Sequence, residues 1–461
     1  MRSEKLLTCL RARVHKGVMN ADLLKRIVIS CSLVSGLSSL QVPAQADDLI
    51  QTYHDALDND AVYAAAKASY NAAIQKLPEG RASLLPTLSV TGHSSWSQLS
   101  SKTGLFQGGY DSGGYTLQYI QHVFNVPAWE DFKVGQILAQ QSETQLVADT
   151  QALMVRVAQA YFDLLGAEEV LEAQRSLKDA SHEQLDIAKN TFRVGTKPIT
   201  DVYEAQSRFD LATAAVIAAE NDVDVKADAL KQMTGRTPED LPHLKDGVVP
   251  TPPQPDDLDT WVKNAESNSP KVITKELAYE VAKHDSVRAH AAHLPTVDLI
   301  ASRQNVNDVN TLTGAPESTD TKSIMLQLNM PLYTGGRMSA KATEASALRE
   351  KALEEWNDAK RTLGHAAQQN FLGVVSGIAQ VKALMSAVAS SLESLKGNKR
   401  GYQVGVRANI DVLNALSQVA DSHQRLTKAR FDTLLAMIKL KAATGQLTEG
   451  DLDEVNALLI K

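Results

Sequence analysis

After Gly195 the apolar positions of the chain advance in steps of three and four. Positions 202, 205, 209, 212, 216, 219, 223, 226, 230 and 233 read Val, Ala, Phe, Ala, Val, Ala, Val, Lys, Leu and Met, nine of ten apolar. After Gly405 the same stepping collects Val412, Ala415, Val419, Ser422, Leu426, Ala429, Thr433, Ala436, Leu440 and Ala443. Ahead of the glycines it runs through Leu146, Thr150, Leu153, Val157, Ala160, Leu164, Ala167 and Leu171, and through Phe371, Val374, Ile378, Val381, Met385, Val388, Leu392 and Leu395. A seam held this long, with polar residues elsewhere, predicts coiled-coil helices. Its many alanines let the axes approach closely. Gly195 and Gly405 suit the left-handed position that ends a helix. Pro198 helps restart one, with Thr200 or Asp201, and Asn409 or Asp411, as expected N-caps. The prediction is two antiparallel helical hairpins. Pro127 to Phe192 contains no internal proline. Sixty-odd helical residues span on the order of 90–100 Å, about three bilayer cores. Such a rod bridges a gap rather than enclosing a small active site.

Elsewhere the period is two. Pro295 to Ala301 sets Val297, Leu299 and Ala301 against Thr296 and Asp298. Ser323 to Tyr333 sets Ile324, Leu326, Leu328, Met330 and Leu332 against Gln327 and Asn329. Pro86 to Trp96 sets Leu88, Val90 and Trp96 against Thr87, Ser89 and Thr91, while Gly114 to Phe124 alternates less regularly. Alternation over about ten residues fits outer-membrane strands, and equally an ordinary half-buried sheet. Segments 97–113 and 302–320, rich in Gly, Ser, Asn and Thr, are expected as external loops. Trp96, Phe106, Tyr110, Tyr115 and Tyr119 are candidates for an aromatic belt. Four strands fall short of the eight at which membrane barrels begin. Several chains must then share one barrel, and 12 strands from a trimer is a natural closure. The predicted class is an α+β membrane protein. A long antiparallel coiled-coil helical barrel joins a shared transmembrane β-barrel, with a two-fold internal repeat.

The repeat is visible residue by residue. From Arg193 to Gly235, 12 of 43 positions are identical at an offset of 210; chance gives roughly three at ordinary composition. Asp201-Val202 returns as Asp411-Val412, and Thr234-Gly235 as Thr444-Gly445. Leu85-Pro86-Thr87-Leu88 returns as Leu294-Pro295-Thr296-Val297. The expected domains are residues 47–256 and 257–461. The first holds a helix, the strand pair 86–124, the hairpin 127–234 and a short connector. The second holds a helix, the strand pair 295–333, the hairpin 335–445 and a C-terminal equatorial segment.

Residues 1–46 read as a signal peptide. Lys25-Arg26 precede a short apolar run from Ile27 to Leu40, and Ala44-Gln45-Ala46 fits a cleavage site. Met19 is a second candidate start. Val28-Ile29-Ser30-Cys31 only loosely resembles a lipoprotein box, so no lipid anchor is expected. Both cysteines, Cys9 and Cys31, lie in this segment. The mature chain is then thiol-free, without disulfides or cysteine metal sites. The leader carries seven Lys/Arg and two Asp/Glu, which leaves 40 against 52 and a charge of −12. That argues against nucleic acid. No mature segment has 18 consecutive apolar residues, so no membrane-spanning helix is expected. No catalytic cassette, phosphate loop or cofactor motif appears. His284, His290 and His293 form the nearest approach to a metal cluster, and their place at a helix-to-strand passage reads as a polar junction.

Taken in order and in duplicate, several motifs resemble the TolC family of outer-membrane efflux proteins. They are Ala82-Ser83-Leu84-Leu85-Pro86-Thr87-Leu88, Ala160-Tyr161-Phe162-Asp163-Leu164-Leu165 and Arg193-Val194-Gly195-Thr196 with Thr200-Asp201-Val202. With them stand His293-Leu294-Pro295-Thr296-Val297-Asp298-Leu299, Met330-Pro331-Leu332-Tyr333-Thr334-Gly335-Gly336, Gly401-Tyr402-Gln403-Val404-Gly405 and Asp411-Val412-Leu413. The resemblance covers about 47–461. It implies a homotrimer in the outer membrane whose tunnel extends into the periplasm. It also implies export of drugs or proteins with a periplasmic adaptor and an inner-membrane pump of ABC or RND type, and contact with outer-membrane lipid. By the same resemblance Asp411 rings the periplasmic entrance, with Asn414 where the family often has a second acid. Arg407 and Tyr402 latch the inner hairpin to Thr200 and Asp201 of the outer one. Val194, Gly195, Thr196, Val404, Gly405 and Val406 are exposed tips for the adaptor. A soluble periplasmic coiled-coil scaffold or adaptor is the competing class. It explains the rods but not the alternating strands.

Overall fold

The computed structural model describes residues 48–100, 108–238, 241–245, 247–309 and 315–460. The expected signal peptide and Phe106 lie outside them. Helices α1 (Leu49–Asn59), α2 (Ala61–Ala73) and α3 (Lys76–Ala82) precede strands β1 (Thr87–Leu99) and β2 (Gly108–Phe124). Helices α4 (Val126–Arg193) and α5 (Ile199–Thr234) and the two-residue β3 (His243–Leu244) follow. A similar order follows, with two helices rather than three ahead of the strands: α6 (Leu258–Asn268), α7 (Pro270–Ala291), β4 (Thr296–Val309), β5 (Pro316–Asn329), α8 (Arg337–Gln403) and α9 (Asn409–Ala443). Helix α10 (Glu449–Asn456) and β6 (Leu459–Ile460) close the chain, β6 pairing with β3.

The 68 residues of α4 amount to roughly 100 Å of helix. Asn125 caps its start through Oδ1, which accepts the Ala128 N–H at 3.1 Å. The 3-4 seams are where the helices meet. All ten seam positions of α5 are buried or half-buried, and eight of the ten in α9 are fully buried. In α8 the expected seam fails at one place. Leu392 is 39% exposed, and Ser391 is buried instead. Beyond Val388 the contact line advances by three rather than four, so the helix turns that leucine off its partner.

The largest core sits where hairpins and connectors meet. Tyr161, Phe162 and Leu165 of α4 pack with Leu49 and Tyr53 of α1, Leu230 of α5, Phe431 and Ile438 of α9, and Leu452 of α10. Phe162 and Phe431 stack at 5.5 Å, which ties the two hairpins together. Asp60 pins the same region. Its carboxylate takes both Arg156 guanidinium nitrogens, at 2.9 and 3.0 Å, and the Tyr63 N–H at 2.6 Å. The hydrogen bond from Arg156 is the main reason its pKa lies below the ordinary carboxylate value.

One stretch of α8 is apolar enough to cross a membrane by composition, with a mean hydropathy of 1.6. Phe371, Val374, Ile378 and Val381 of this helix are buried in the protein, and α8 lies along α9 as one arm of a hairpin. Leu372 and Val375, on the other side of the same stretch, are exposed.

The four longer strands form one antiparallel sheet in the order β1-β2-β4-β5. The irregular alternation of β2 falls at Ile120 and Gln121, which the register puts on the face of Ser89 and on the face of Leu299 respectively; the register itself shifts only beyond them, between His122 and Phe124. The segments expected as loops are shorter than predicted. β1 and β2 pair up to Leu99 with Gly108, and β4 and β5 up to Val309 with Pro316. Ladder hydrogen bonds need no apolar side chains, so a ribbon standing clear of lipid can be polar on both faces. That polarity is what made these segments read as loops.

Candidate functional site: the sheet faces and the hairpin tips

The register places every second residue of all four strands on one surface. Leu88, Tyr119, Ala301 and Ile324 form one cross-strand row, and Leu299 with Leu326 lies in the next. This face is apolar yet uncovered, with Ile324 81% exposed. The opposite face carries Ser89, Gln118, Ser302 and Ser323 in one row and Thr91, Thr116, Gln304 and Thr321 in the next. The Ser302 and Ser323 hydroxyls lie 2.8 Å apart. An apolar outer face this large is costly in water and favourable against lipid, while the polar face suits a wet lumen. Where sheet meets helix, His122 Nδ1 approaches Asp298 Oδ1 at 2.6 Å. His284 Nδ1 approaches Glu130 Oε2 at 2.5 Å, and Lys133 donates to the same carboxylate at 2.8 Å. Burial pushes the Glu130 carboxyl up, but these hydrogen bonds and the two neighbouring charges outweigh it and hold it below its usual range. His290 faces the Ser286 carbonyl. These histidines therefore sit in separate polar contacts rather than around one point.

At the other end, both hairpins turn in the same way. Gly195 and Gly405 have φ of +76° and +78°. The Thr196 N–H donates to the Thr191 carbonyl at 3.0 Å, and the Val406 N–H to the Gly401 carbonyl at 2.9 Å. These bonds satisfy carbonyls a helix end leaves open. The returning helices are capped by Pro198 and Ala408, not by the residues expected. Pro198 sets its own φ and supplies an extended residue without a side-chain acceptor. Asp411 lies inside the first turn and accepts the Ala408 N–H at 3.2 Å.

The remaining tip residues separate into three groups. Val194, Thr196, Val404, Gly405 and Val406 are exposed, as Gly195 is. Arg407, Asp411 and Asn414 line an open cleft of about 620 Å³ with Gln418 and Asn398. Arg407, in the turn just before α9, lies 3.9 Å from Asp411 in the first turn of that helix rather than against Thr200 or Asp201, and Thr200 is exposed. Tyr402 is buried beneath Lys197, whose ammonium stands 5.2 Å from the ring. Burial pushes its phenol above the ordinary value. Thr191 offsets this in part, without forming a well-aligned hydrogen bond, and Asp201 adds to it.

Besides Tyr402 and Asp201, the contacts that join the hairpins fall on residues the sequence did not single out for this. Asn409, 1% exposed, accepts from Gln184 Nε2 at 2.5 Å and donates to the Asp201 carbonyl at 3.2 Å. One amide of α9 thereby holds both α4 and α5. Arg208 of α5 donates to Asn414 Oδ1 at 2.9 Å. A polar residue one step before a helical seam is the only signal that could have marked Asn409.

A lipid-facing sheet with a wet reverse side, carried on helical hairpins roughly 100 Å long, defines the class: an outer-membrane channel with a periplasmic helical body. The family model described as "Outer membrane efflux protein" matches residues 52–236 and again 261–446, and the chain belongs to that family. It is 30% identical to the outer membrane protein TolC of Escherichia coli, over 94% of this chain and 89% of that one. It is also 30% identical to the alkaline protease secretion protein AprF of Pseudomonas aeruginosa, over 91% of this chain and 88% of that one. Its fold is shared by the outer membrane protein VceC of Vibrio cholerae, with a TM-score of 0.76 at 18% identity, covering 86% of this chain and 96% of that one. The chain is thus an outer-membrane efflux and secretion channel whose tunnel extends into the periplasm, and it is not an enzyme. The soluble scaffold reading is set aside by the family match.

Proposed function

We propose that three copies share one barrel of 12 strands and one helical tunnel, and that the hairpin tips gate its periplasmic mouth. The observation that carries this reading is the open sheet. β1 and β5 are its two free edges, and they run in opposite directions in a four-stranded antiparallel order. Unpaired edges are untenable in lipid. β1 of one copy pairing with β5 of the next continues the alternation until the ring closes. The two matches of one family model support residues 47–256 and 257–461 as paired halves, behind a signal peptide at 1–46. The name of AprF supports protein cargo and the family description supports efflux, with drugs as the second cargo class; a periplasmic adaptor docks at Val194, Thr196, Val404 and Val406, and an inner-membrane pump supplies the energy. Asp411 from each copy forms a ring of charge at the mouth. Asn414 leaves that ring weaker than a doubled acid would.

Planar-bilayer recording tests the pore and its ring together. The purified chain is expected to give discrete single-channel steps that trivalent cations reduce, and Asp411→Ala to relieve the block. Absence of steps contradicts the pore, and unchanged block in Asp411→Ala contradicts the ring. Deleting the gene and comparing drug sensitivity with the secreted-protein profile separates the two cargo classes.

A further inference from the structure

One row of the apolar sheet face breaks the pattern of its neighbours. Counted from the helical end, the β4–β5 partners on this face are Val297 with Leu328, Leu299 with Leu326, Ala301 with Ile324, then Arg303 with Lys322, then Asn305 with Asp320. Like charges placed directly opposite each other destabilise a ladder. Only one carboxylate answers them. Arg303 donates through Nε and Nη2 to Asp320 at 3.1 and 3.0 Å. That leaves the Nη1 edge of the guanidinium free. Among the described residues no carboxylate lies within ion-pair distance of the exposed Lys322 ammonium. The row therefore presents one unbalanced positive charge on a lipid-facing surface.

Its height agrees with a membrane interface. Met330 to Lys322 is eight residues, about 27 Å of strand and roughly 20 Å of height at a tilt near 40°. The apolar band of such barrels is ~25 Å tall, and a cation on the lipid face costs ~2–4 kcal/mol at its midplane but little at its rim. The cation row sits at the rim away from the helices. Because the helices extend into the periplasm, this rim belongs to the outer leaflet, whose lipid A headgroups carry phosphates. Beneath the row, Leu88, Leu117, Tyr119 and Ile324 line a groove of about 430 Å³ capped by Arg303 and Lys322.

We propose that Arg303 and Lys322 bind a phosphate of lipid A, with one acyl chain lying in the groove below. The phosphate bridges the Lys322 ammonium and the free guanidinium edge. Asp320 holds the arginine fork in place from the other side. Arg–phosphate pairing of this kind is directional, and burying an acyl chain alongside adds apolar area.

The test uses the full chain extracted from outer membranes in mild detergent. It is exchanged against equal amounts of bis-phosphorylated and phosphate-free lipid A, and bound lipid is counted by mass spectrometry. Wild type is expected to retain about fivefold more of the phosphorylated lipid, the worth of one surface cation. Lys322→Gln is expected to lose that preference and Lys322→Arg to keep it, as is Lys351→Gln in the helical body. Equal retention of both lipids by wild type overturns the proposal, whether or not a variant folds. So does a full preference in Lys322→Gln. Loss of the preference when millimolar inorganic phosphate is added assigns the site to free phosphate and overturns the lipid assignment.

Discussion

Single side chains at the tips divide into those that join the hairpins and those that line the open cleft beside them. The Asn409 amide is the more central of the joining groups, because it is buried and both of its polar atoms are used. Asn409→Ala leaves the Gln184 amide and the Asp201 carbonyl without it. An unsatisfied buried group costs ~1–3 kcal/mol, so the closed arrangement is expected to lose on the order of tenfold in population. Bilayer recordings should show a larger mean conductance than wild type. Arg407→Ser should also increase it, by less, because Arg407 is exposed and its partner Asp411 belongs to the same hairpin. Conductance equal to wild type in Asn409→Ala contradicts the latch. At the waist, Asp60 supplies a test by pH. Its folded pKa is depressed, so its contribution is complete above the ordinary carboxylate value near 4 and is lost as pH falls through the folded value. Asp60→Asn keeps an oxygen that accepts the Tyr63 N–H but removes the charge-assisted pair with Arg156, about 1–2 kcal/mol with Arg156 partly in solvent. Thermal melts should show Asp60→Asn less stable at pH 7 and less sensitive than wild type to acid between pH 5 and 2. Parallel curves contradict this role.

Elements differ in how plainly the sequence announces them. The helical seams are legible because burial in a coiled coil repeats: Val412, Ala415, Leu426 and Leu440 were placed by spacing alone and are buried. Leu392 shows the limit, since a local change of step in α8 leaves no mark in a row of small and apolar residues. The strand faces were legible inside the apolar band and illegible beyond it, where Ser95 opposite Ser112 carries the ladder without any alternation. Helix caps were misread because the chain used Pro198 and Ala408, which cap through backbone shape rather than side chain. Between the hairpins, Tyr402 and Asp201 were legible as joining residues, but the Gln184–Asn409 contact was not, because the two lie 225 residues apart. The two sheet faces give an element-scale prediction. Ile324→Lys puts a charge on the lipid face and is expected to cost up to ~2–4 kcal/mol, whereas Ser323→Lys faces the lumen and costs much less. Yields of folded protein in the outer membrane check this, and equal yields contradict the assignment of faces.

At the scale of the whole molecule, one chain is an incomplete object. Its sheet has two free edges and an uncovered apolar face. Exposed apolar residues also line the outside of the hairpins, among them Leu211, Ile217 and Val225 of α5 and Leu372 and Val375 of α8. In the proposed trimer, neighbouring copies supply both the missing strand partners and the missing helix contacts, and closed cyclic symmetry satisfies every edge at once. The account therefore stands on the number of chains in the complex. The most direct measurement is the mass of the complex taken intact from the outer membrane, by native mass spectrometry in mild detergent. Three mature chains per particle is the predicted result. A particle holding one, two or four chains contradicts the shared 12-stranded barrel.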